Sequence, residues 1–331
     1  MDAASDERFD EKRSIRLLGI RSVVCVPMIA GNEIHGVVAL DSTGSPGAFE
    51  KDDMALLVGI AGQAALALAN TRLHRQLVAQ ELLEQDLALA KKIQVRFLPK
   101  NPPEVPGYDF RAFYLSAQEV GGDYYDFFAL PEGRIGIALG DVSGKGISAA
   151  LYMVKLSGEM RYHSVGQSEP AGILSRVNRA LCGGEEEGMF ATAILLVLDT
   201  RTREVKLASA GHPEPLLRRR DGRVEPISVP PNSPVGVDEG SAFEQRAFTL
   251  APGETVVLYT DGVSEAADAD RRLFGTQRLI ETLGASDGSP EGALNDVLAA
   301  VSKFSEGEPQ ADDLTLLCFG PTVPMSAVKP G

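Results

Sequence analysis

Only three cysteines, Cys25, Cys182 and Cys318, stand in 331 residues, far apart and odd in number. No CxxC pair exists, so the chain offers neither a zinc knuckle nor a disulfide framework, and a reducing cytoplasm suits it. Basic residues are scarce too: 32 Lys and Arg face 46 Asp and Glu, a formal charge of −14. That deficit argues against nucleic acid or an anionic membrane surface as partner. No uninterrupted apolar run approaches the roughly 20 residues that span a membrane, so no membrane role is expected. The opening MDAASDERFDEKRS is polar and acidic, unlike a signal peptide. Neither an internal repeat nor a low-complexity tract is present. Without GxSxG or a nucleophile–His–Asp order, a covalent serine or cysteine mechanism is not expected. GxxxxGKS/T is absent as well, and Gly140–Gly146 has the wrong spacing for a P-loop.

Hydrophobic residues make up 44% of the chain, ample for packed cores, and the length favours two domains over one. Ser22–Ile29 and Ile34–Asp41 read as a hairpin turning at Ala30–Glu33. Lys51-Asp52-Asp53 opens a helix with Leu56, Leu57, Ile60, Ala64 and Leu68 on one face. Neither Pro nor Gly falls between Gln63 and Pro99, so the helical pattern continues to about Leu98. Leu66, Leu73 and Leu87 share a heptad register that Gln80 and Gln94 interrupt. The pattern suits a packed amphipathic helix and a two-chain signalling helix about equally. Pro99, Pro102, Pro103 and Pro106 end it. The expected divisions are 1–62, a linker helix 63–98, a main domain 99–320 and a tail 321–331. In the main domain, strands are expected at Phe110–Leu115, Ile135–Leu139, Ala191–Asp199, Glu204–Ala210, Phe243–Leu250, Thr255–Tyr259 and Leu314–Phe319. Helices are expected at Ser148–Tyr162, Ala171–Leu181, Thr276–Leu283 and Glu291–Phe304. Hairpins with helices grouped between them predict an α+β fold.

Four acidic turns sit at ends of apolar strands. The first two are Gly121-Gly122-Asp123-Tyr124-Tyr125-Asp126 and Gly140-Asp141-Val142-Ser143-Gly144-Lys145-Gly146, joined by what reads as a hairpin. The others are Thr260-Asp261-Gly262 and Ala311-Asp312-Asp313. A single such aspartate is most simply a turn residue. A hairpin would bring Asp123 and Asp141 together, and like charges at that range repel. Four such ends together favour a hard-cation site built from carboxylates.

From about Leu89 to Phe319 the chain resembles the bacterial SpoIIE/RsbU group of metal-dependent (PPM, type 2C-like) protein phosphatases. The segments carrying the resemblance are Val120–Phe127, Gly140–Ala150, Ala208–Leu217 (ASAGHPEPLL), Leu258–Glu265 (LYTDGVSE) and Ala311–Leu316 (ADDLTL), in that order. Upstream, the strand–turn–strand–helix resembles the second half of a GAF sensor domain. Such domains need more chain before it, so a truncated or shortened copy is expected, with a small αβ cap favoured over a working ligand pocket.

The resemblance implies two packed antiparallel sheets flanked by helices, and a site holding two Mn²⁺ or Mg²⁺ ions. Asp141 would bridge them, the carbonyl of Val142 would add a backbone ligand, and Asp123, Asp261 and Asp312 would complete the set. Asp313 is expected at or just behind the metals, with Asp312 favoured as the direct ligand. Asp126 is expected to orient or cap a turn. Ser143 stands where eukaryotic-type relatives carry a histidine. Lys145 reads as a solvated turn lysine and His212 as structural. His35, His74 and His163 have no carboxylate constellation. The implied activity is phosphoserine or phosphothreonine hydrolysis in the cytoplasm. The implied substrate is a phosphorylated anti-sigma-factor antagonist of a partner-switching pathway. A homodimer through the segment up to about residue 98 is also expected. The rivals are a catalytically weak regulatory module that docks partners and, less favoured by the acidic charge, a two-metal nuclease.

Overall fold

The computed structural model describes residues 18–183 and 188–322. The polar start (1–16) and nearly all of the expected tail (321–331) lie outside the described residues. The chain divides into two compact units, Met1–Asp86 and Leu87–Gly331.

In the first unit, β1 (Ser22–Ala30) pairs antiparallel with β2 (Glu33–Ser42). Val26 of β1 and Leu57 and Ala61 of helix α1 (Lys51–Gln94) form a small core, with Val24, Met28 and Val38 against it. Helix α1 is continuous across the boundary expected at 62/63. The helical span Lys51–Phe97 contains an 18-residue window of mean hydropathy 1.6, apolar enough to cross a membrane by length and composition. Counting only uninterrupted apolar residues hid it, because single polar residues such as Gln63 break the run without lowering its mean much.

In the second unit the strands form two sheets. One antiparallel sheet has the order β10-β7-β6-β5-β4 and the other β3-β12-β11-β8-β9. The first contains β4 (Tyr124–Leu130), β5 (Arg134–Val142), β6 (Ala191–Asp199), β7 (Glu204–Ala210) and β10 (Gln245–Thr249). The second contains β3 (Tyr108–Leu115), β8 (Leu216–Arg218), β9 (Val224–Pro226), β11 (Thr255–Tyr259) and β12 (Leu314–Pro321). Successive side chains of a strand point to opposite faces. Ile137, Leu139, Ile194, Leu196, Val256, Leu258, Leu317 and Phe319 therefore meet in one core between the sheets. Their neighbours Ala138, Val142, Ala193 and Leu195 face outward against Met153 and Leu156 of helix α2 (Ile147–Ser164) and Leu174 and Val177 of α3 (Pro170–Cys182). On the other side Val257, Leu316 and Cys318 pack on Leu279 and Leu283 of α5 (Gly275–Ala285) and Val297 and Val301 of α6 (Pro290–Phe304), a short turn α4 (Asp261–Ser264) coming before α5. Strands buried on both faces read as unbroken apolar runs, and that is how these strands stood out. Each fully buried aliphatic contributes about 1.5–3 kcal/mol. The result is the expected α+β sandwich flanked by helices.

The first acidic turn is shorter than expected. From Tyr124 onward the chain is strand β4, and the hairpin turns instead at Pro131–Gly133. The aromatic residues Tyr124, Tyr125, Phe127 and Phe128 favour the extended form. Asp126 consequently caps no turn. It is wholly buried on β4 and accepts from Arg161 of α2 at 2.6 Å (Nε) and 3.0 Å (Nη2). Burial pushes its carboxyl up, against the pull of the Arg161 guanidinium.

Arg161→Ala should therefore cost roughly 2 kcal/mol or more, because it strands a buried carboxylate. A carboxyl with a raised folded pKa binds protons more tightly in the folded state. Its stability deficit grows as pH rises from about 3.9 toward that folded value. Without Arg161 the rise is larger, so urea midpoints should show a greater loss for the variant at pH 8 than at pH 5. An equal loss at both would contradict this account of Asp126.

Candidate active site

Four strand ends converge. Tyr124 of β4 lies opposite Gly140 of β5, so the next residues outward, Asp123 and Asp141, face each other. β11 ends at Tyr259, immediately before Thr260 and Asp261, and β12 begins just after Asp312–Asp313. Gly121, Gly122, Asp141, Lys145, Asp312 and Asp313 line the resulting cleft. The fold thus gathers Asp123, Asp141, Asp261 and Asp312 from four separated acidic turns. Val142 follows on β5, and its carbonyl lies 3.1 Å from where a Cβ on Gly122 would stand; only glycine leaves that oxygen uncovered.

The charges conflict. Burial, then the charge of Asp141, push Asp123 well above the usual carboxylate range. Burial and the charges of Asp261, Asp312 and Asp313 push Asp141 up to about 7. Asp261 is raised by burial and by Asp312. Two hydroxyls hold Asp123 in place: Thr260 Oγ1 donates to its Oδ2 at 2.8 Å, and Thr315 Oγ1 donates to the same oxygen. Both threonines are fully buried and are tied to each other through the Thr315 N–H, which donates to Thr260 Oγ1 at 3.1 Å. Sequence reading gave neither a role. The signal was present: Thr260 opens one acidic turn at the end of an apolar strand, and Thr315 lies two residues past another.

Asp313 is engaged elsewhere. Its Oδ1 accepts from Ala117 N–H at 2.8 Å, and its Oδ2 accepts from Gly122 N–H at 2.6 Å and Asp123 N–H at 3.3 Å. It organises backbone behind the cleft. Among the described residues, no three Asp, Glu, His or Cys side chains close around one point at ligand distance. The acids line an open cleft whose donors are carboxylate and carbonyl oxygens, the set that suits hard divalent cations.

Lys145 is exposed in its turn, as expected, but it also has partners. Its Nζ lies 2.8 Å from Asp312 Oδ2 and donates to Ala311 O at 2.7 Å, and the Asp312 bond raises its pKa. Among the described residues it is the one cation lining the cleft. Ser143 accepts from Phe190 N–H at 3.1 Å, and its own N–H donates to Phe190 O at 2.9 Å, so it serves the pairing of the strand ends. His212 is buried with Nδ1 2.9 Å from Thr192 Oγ1. Burial lowers it to about 3, so it stays neutral. His163 lies near a single carboxylate, Glu159, at 3.3 Å on the same helix. The Tyr114 hydroxyl is buried with no hydrogen-bond partner among the described residues, and burial and then Asp313 raise it.

With the geometry set out, the comparisons are specific. The family described as Stage II sporulation protein E (SpoIIE) matches residues 131–321, more than half the chain. The GAF domain family matches residues 1–68. Protein IcfG of Synechocystis sp. is 27% identical over 78% of this chain and 45% of its own length. Phosphoserine phosphatase RsbP of Bacillus subtilis is 26% identical over 70% of this chain and 56% of its own. This chain thus spans about half the length of both relatives. The structure of the RsbU and RsbW domains of Rv1364c from Mycobacterium tuberculosis superposes with a TM-score of 0.59 at 29% identity, covering 67% of this chain and 62% of that one.

The raised acids predict how metal-free protein responds to pH. Asp141 binds its proton more tightly folded than unfolded, so stability in EDTA should fall as pH rises from about 4 through the Asp141 value near 7. Asp141→Asn should flatten that slope, and Mn²⁺ should restore the wild type at pH 8. Urea midpoints across this range check it; a metal-free midpoint that climbs with pH would contradict the repulsion.

Proposed function

Because the chain belongs to the SpoIIE family, we propose that it is a metal-dependent phosphoprotein phosphatase acting on phosphoserine or phosphothreonine. The observation that carries this reading is the convergence of Asp123, Asp141, Asp261 and Asp312 from separate strand ends onto one cleft, where burial and mutual repulsion favour a cation. The relative RsbP, named a phosphoserine phosphatase, supports the substrate class. The matched mycobacterial structure, holding an RsbU domain beside an RsbW domain, supports a partner-switching setting. The proposed substrate is accordingly a phosphorylated antagonist of an anti-sigma factor.

Mn²⁺ or Mg²⁺ would be held by the four aspartates with the Val142 carbonyl. When bound, two such ions activate water and offset the charge of the phosphoryl oxygens. The chain's own groups do the rest. Thr260 and Thr315 fix the rotamer of Asp123. Asp313 shapes the backbone of Gly122 and Asp123. Lys145 puts a positive charge at the rim, where a phosphate ester dianion must enter past carboxylates. Ser143 is engaged by Phe190, and His212 is neutral and sealed from the cleft by its burial. Neither is placed to protonate the leaving alkoxide, which leaves Lys145 and solvent as proton sources.

The dimer reading draws support from apolar side chains left exposed in the first unit: Ile34, Val37 and Leu40 on β2, and Leu66, Leu73 and Leu77 on α1. A cytoplasmic setting suits the free Cys25, Cys182 and Cys318.

Asp141→Asn and Asp261→Asn should each lower Mn²⁺-dependent turnover of a phosphoserine protein by about 10²-fold or more, with circular dichroism unchanged. Full turnover by either variant would overturn the assignment. Wild-type protein that binds Mn²⁺ but turns over nothing would favour the docking module.

A further inference from the structure

We infer that Gln94 is a positioning residue of the cleft: its carboxamide fixes Gly121, and with it the backbone that presents Asp123. This rests on the cleft being a cation site. The sequence made Gln94 and Gln80 a matched pair interrupting an apolar seam, yet they behave differently. Gln80 is exposed and donates to Glu84 one turn on, at 2.9 Å. Gln94, the last residue of α1, is 5% exposed. Its Nε2 donates to Gly121 O at 2.5 Å, and Gly121 N–H donates to its Oε1 at 3.2 Å.

A primary amide carries one donor and one acceptor edge, as a peptide group does. Gln94 therefore pairs with Gly121 as a strand neighbour would. Gly121 needs such a neighbour. It lies between the end of β3 at Leu115 and the start of β4 at Tyr124, outside either ladder. Yet Val120, Gly121, Gly122 and Asp123 are all buried. Buried backbone groups must be paired, and here side chains pair four of them. Asp313 takes the N–H groups of Gly122 and Asp123, and Gln94 takes both polar groups of Gly121. The fit is tight on one side, where a Cβ on Gly121 would collide with the Tyr114 hydroxyl and the Asp313 carboxylate. The donor end is fixed as well. After the short turn Val95–Phe97, Leu98 is buried in the core beneath α2, alongside Tyr124 and Val142. Removing the amide leaves a buried N–H and a buried C=O without partners. The loop must then shift to satisfy them, carrying Asp123 with it.

The test uses the full chain with Gln94→Met, similar in length and without polar edges, and Gln94→Asn, which keeps the amide one methylene short. Free Mn²⁺ is counted by electron paramagnetic resonance during titration, and hydrogen exchange is followed by mass spectrometry in peptides covering residues 117–126. Both variants should bind Mn²⁺ about ten-fold more weakly, as is usual when a group supporting a metal ligand is lost. Exchange at 117–123 should quicken while the sheets stay protected. If Gln94→Met fails to fold, Gln94→Asn carries the comparison. A folded variant with wild-type Mn²⁺ affinity overturns the inference, even if its melting temperature falls, since that would mark Gln94 as merely structural. If wild-type protein binds no Mn²⁺, the cation-site reading fails instead. Unchanged exchange at 117–123 would then overturn the hold of Gln94 on the loop, and quickened exchange would uphold it.

Discussion

Repulsion between carboxylates at the ends of paired strands is the constraint on which the site depends. Antiparallel register puts Asp123 opposite Asp141, and sheet closure brings Asp261 and Asp312 within range of them. Nothing in the apolar core would gather acids this way. Two five-stranded sheets packed face to face force it, because the motif-bearing strand ends all emerge on one side. The fold holds the charges against their preference, and the cost is met by thousands of dispersion contacts in three stacked apolar layers. A single lysine, Lys145, offsets part of it from the rim.

Holding repelling groups still requires a rigid frame, and most of that frame is polar. Thr260, Thr315 and Gln94 add no charge to the cleft, and Asp313 adds charge while its oxygens hold backbone. Each satisfies buried backbone or one oxygen of Asp123. The segment from Ser116 to Asp123 belongs to no ladder, so side chains from β12, α1 and the β11 end do what a neighbouring strand would do.

The layered fold was legible because strands buried on both faces leave unbroken apolar runs. Ala191–Asp199, Glu204–Ala210 and Thr255–Tyr259 have the bounds that the sequence suggests. β8 and β9 were not foreseen: at three residues each, no periodicity can register. β4 was half hidden, because glycine and aspartate at its start read as a turn before its aromatics took over. The acids announced themselves through glycine neighbours. Their supports did not, for a reason that is physical. A threonine donating to a carboxylate and a glutamine pairing with a distant glycine are contacts of long sequence separation, and Gln94 lies 27 residues from Gly121. A period-based reading sees only what a residue does for its own helix, so Gln94 registered as a defect in a seam. The partners of Lys145 and Asp126 were missed for the same reason, since Asp312 and Arg161 come from other elements.

The central claim is that a cation replaces protons that mutual repulsion has trapped on the acids. Calorimetric titration of Mn²⁺ into metal-free protein at pH 6.5, repeated in buffers of different ionisation enthalpy, measures those protons directly. With Asp123 raised by burial and by Asp141, and Asp141 raised by burial and by Asp261, Asp312 and Asp313, binding should release about one proton or more per chain, and Asp141→Asn should reduce the release. Mn²⁺ binding with no proton release, or none at all, would contradict it.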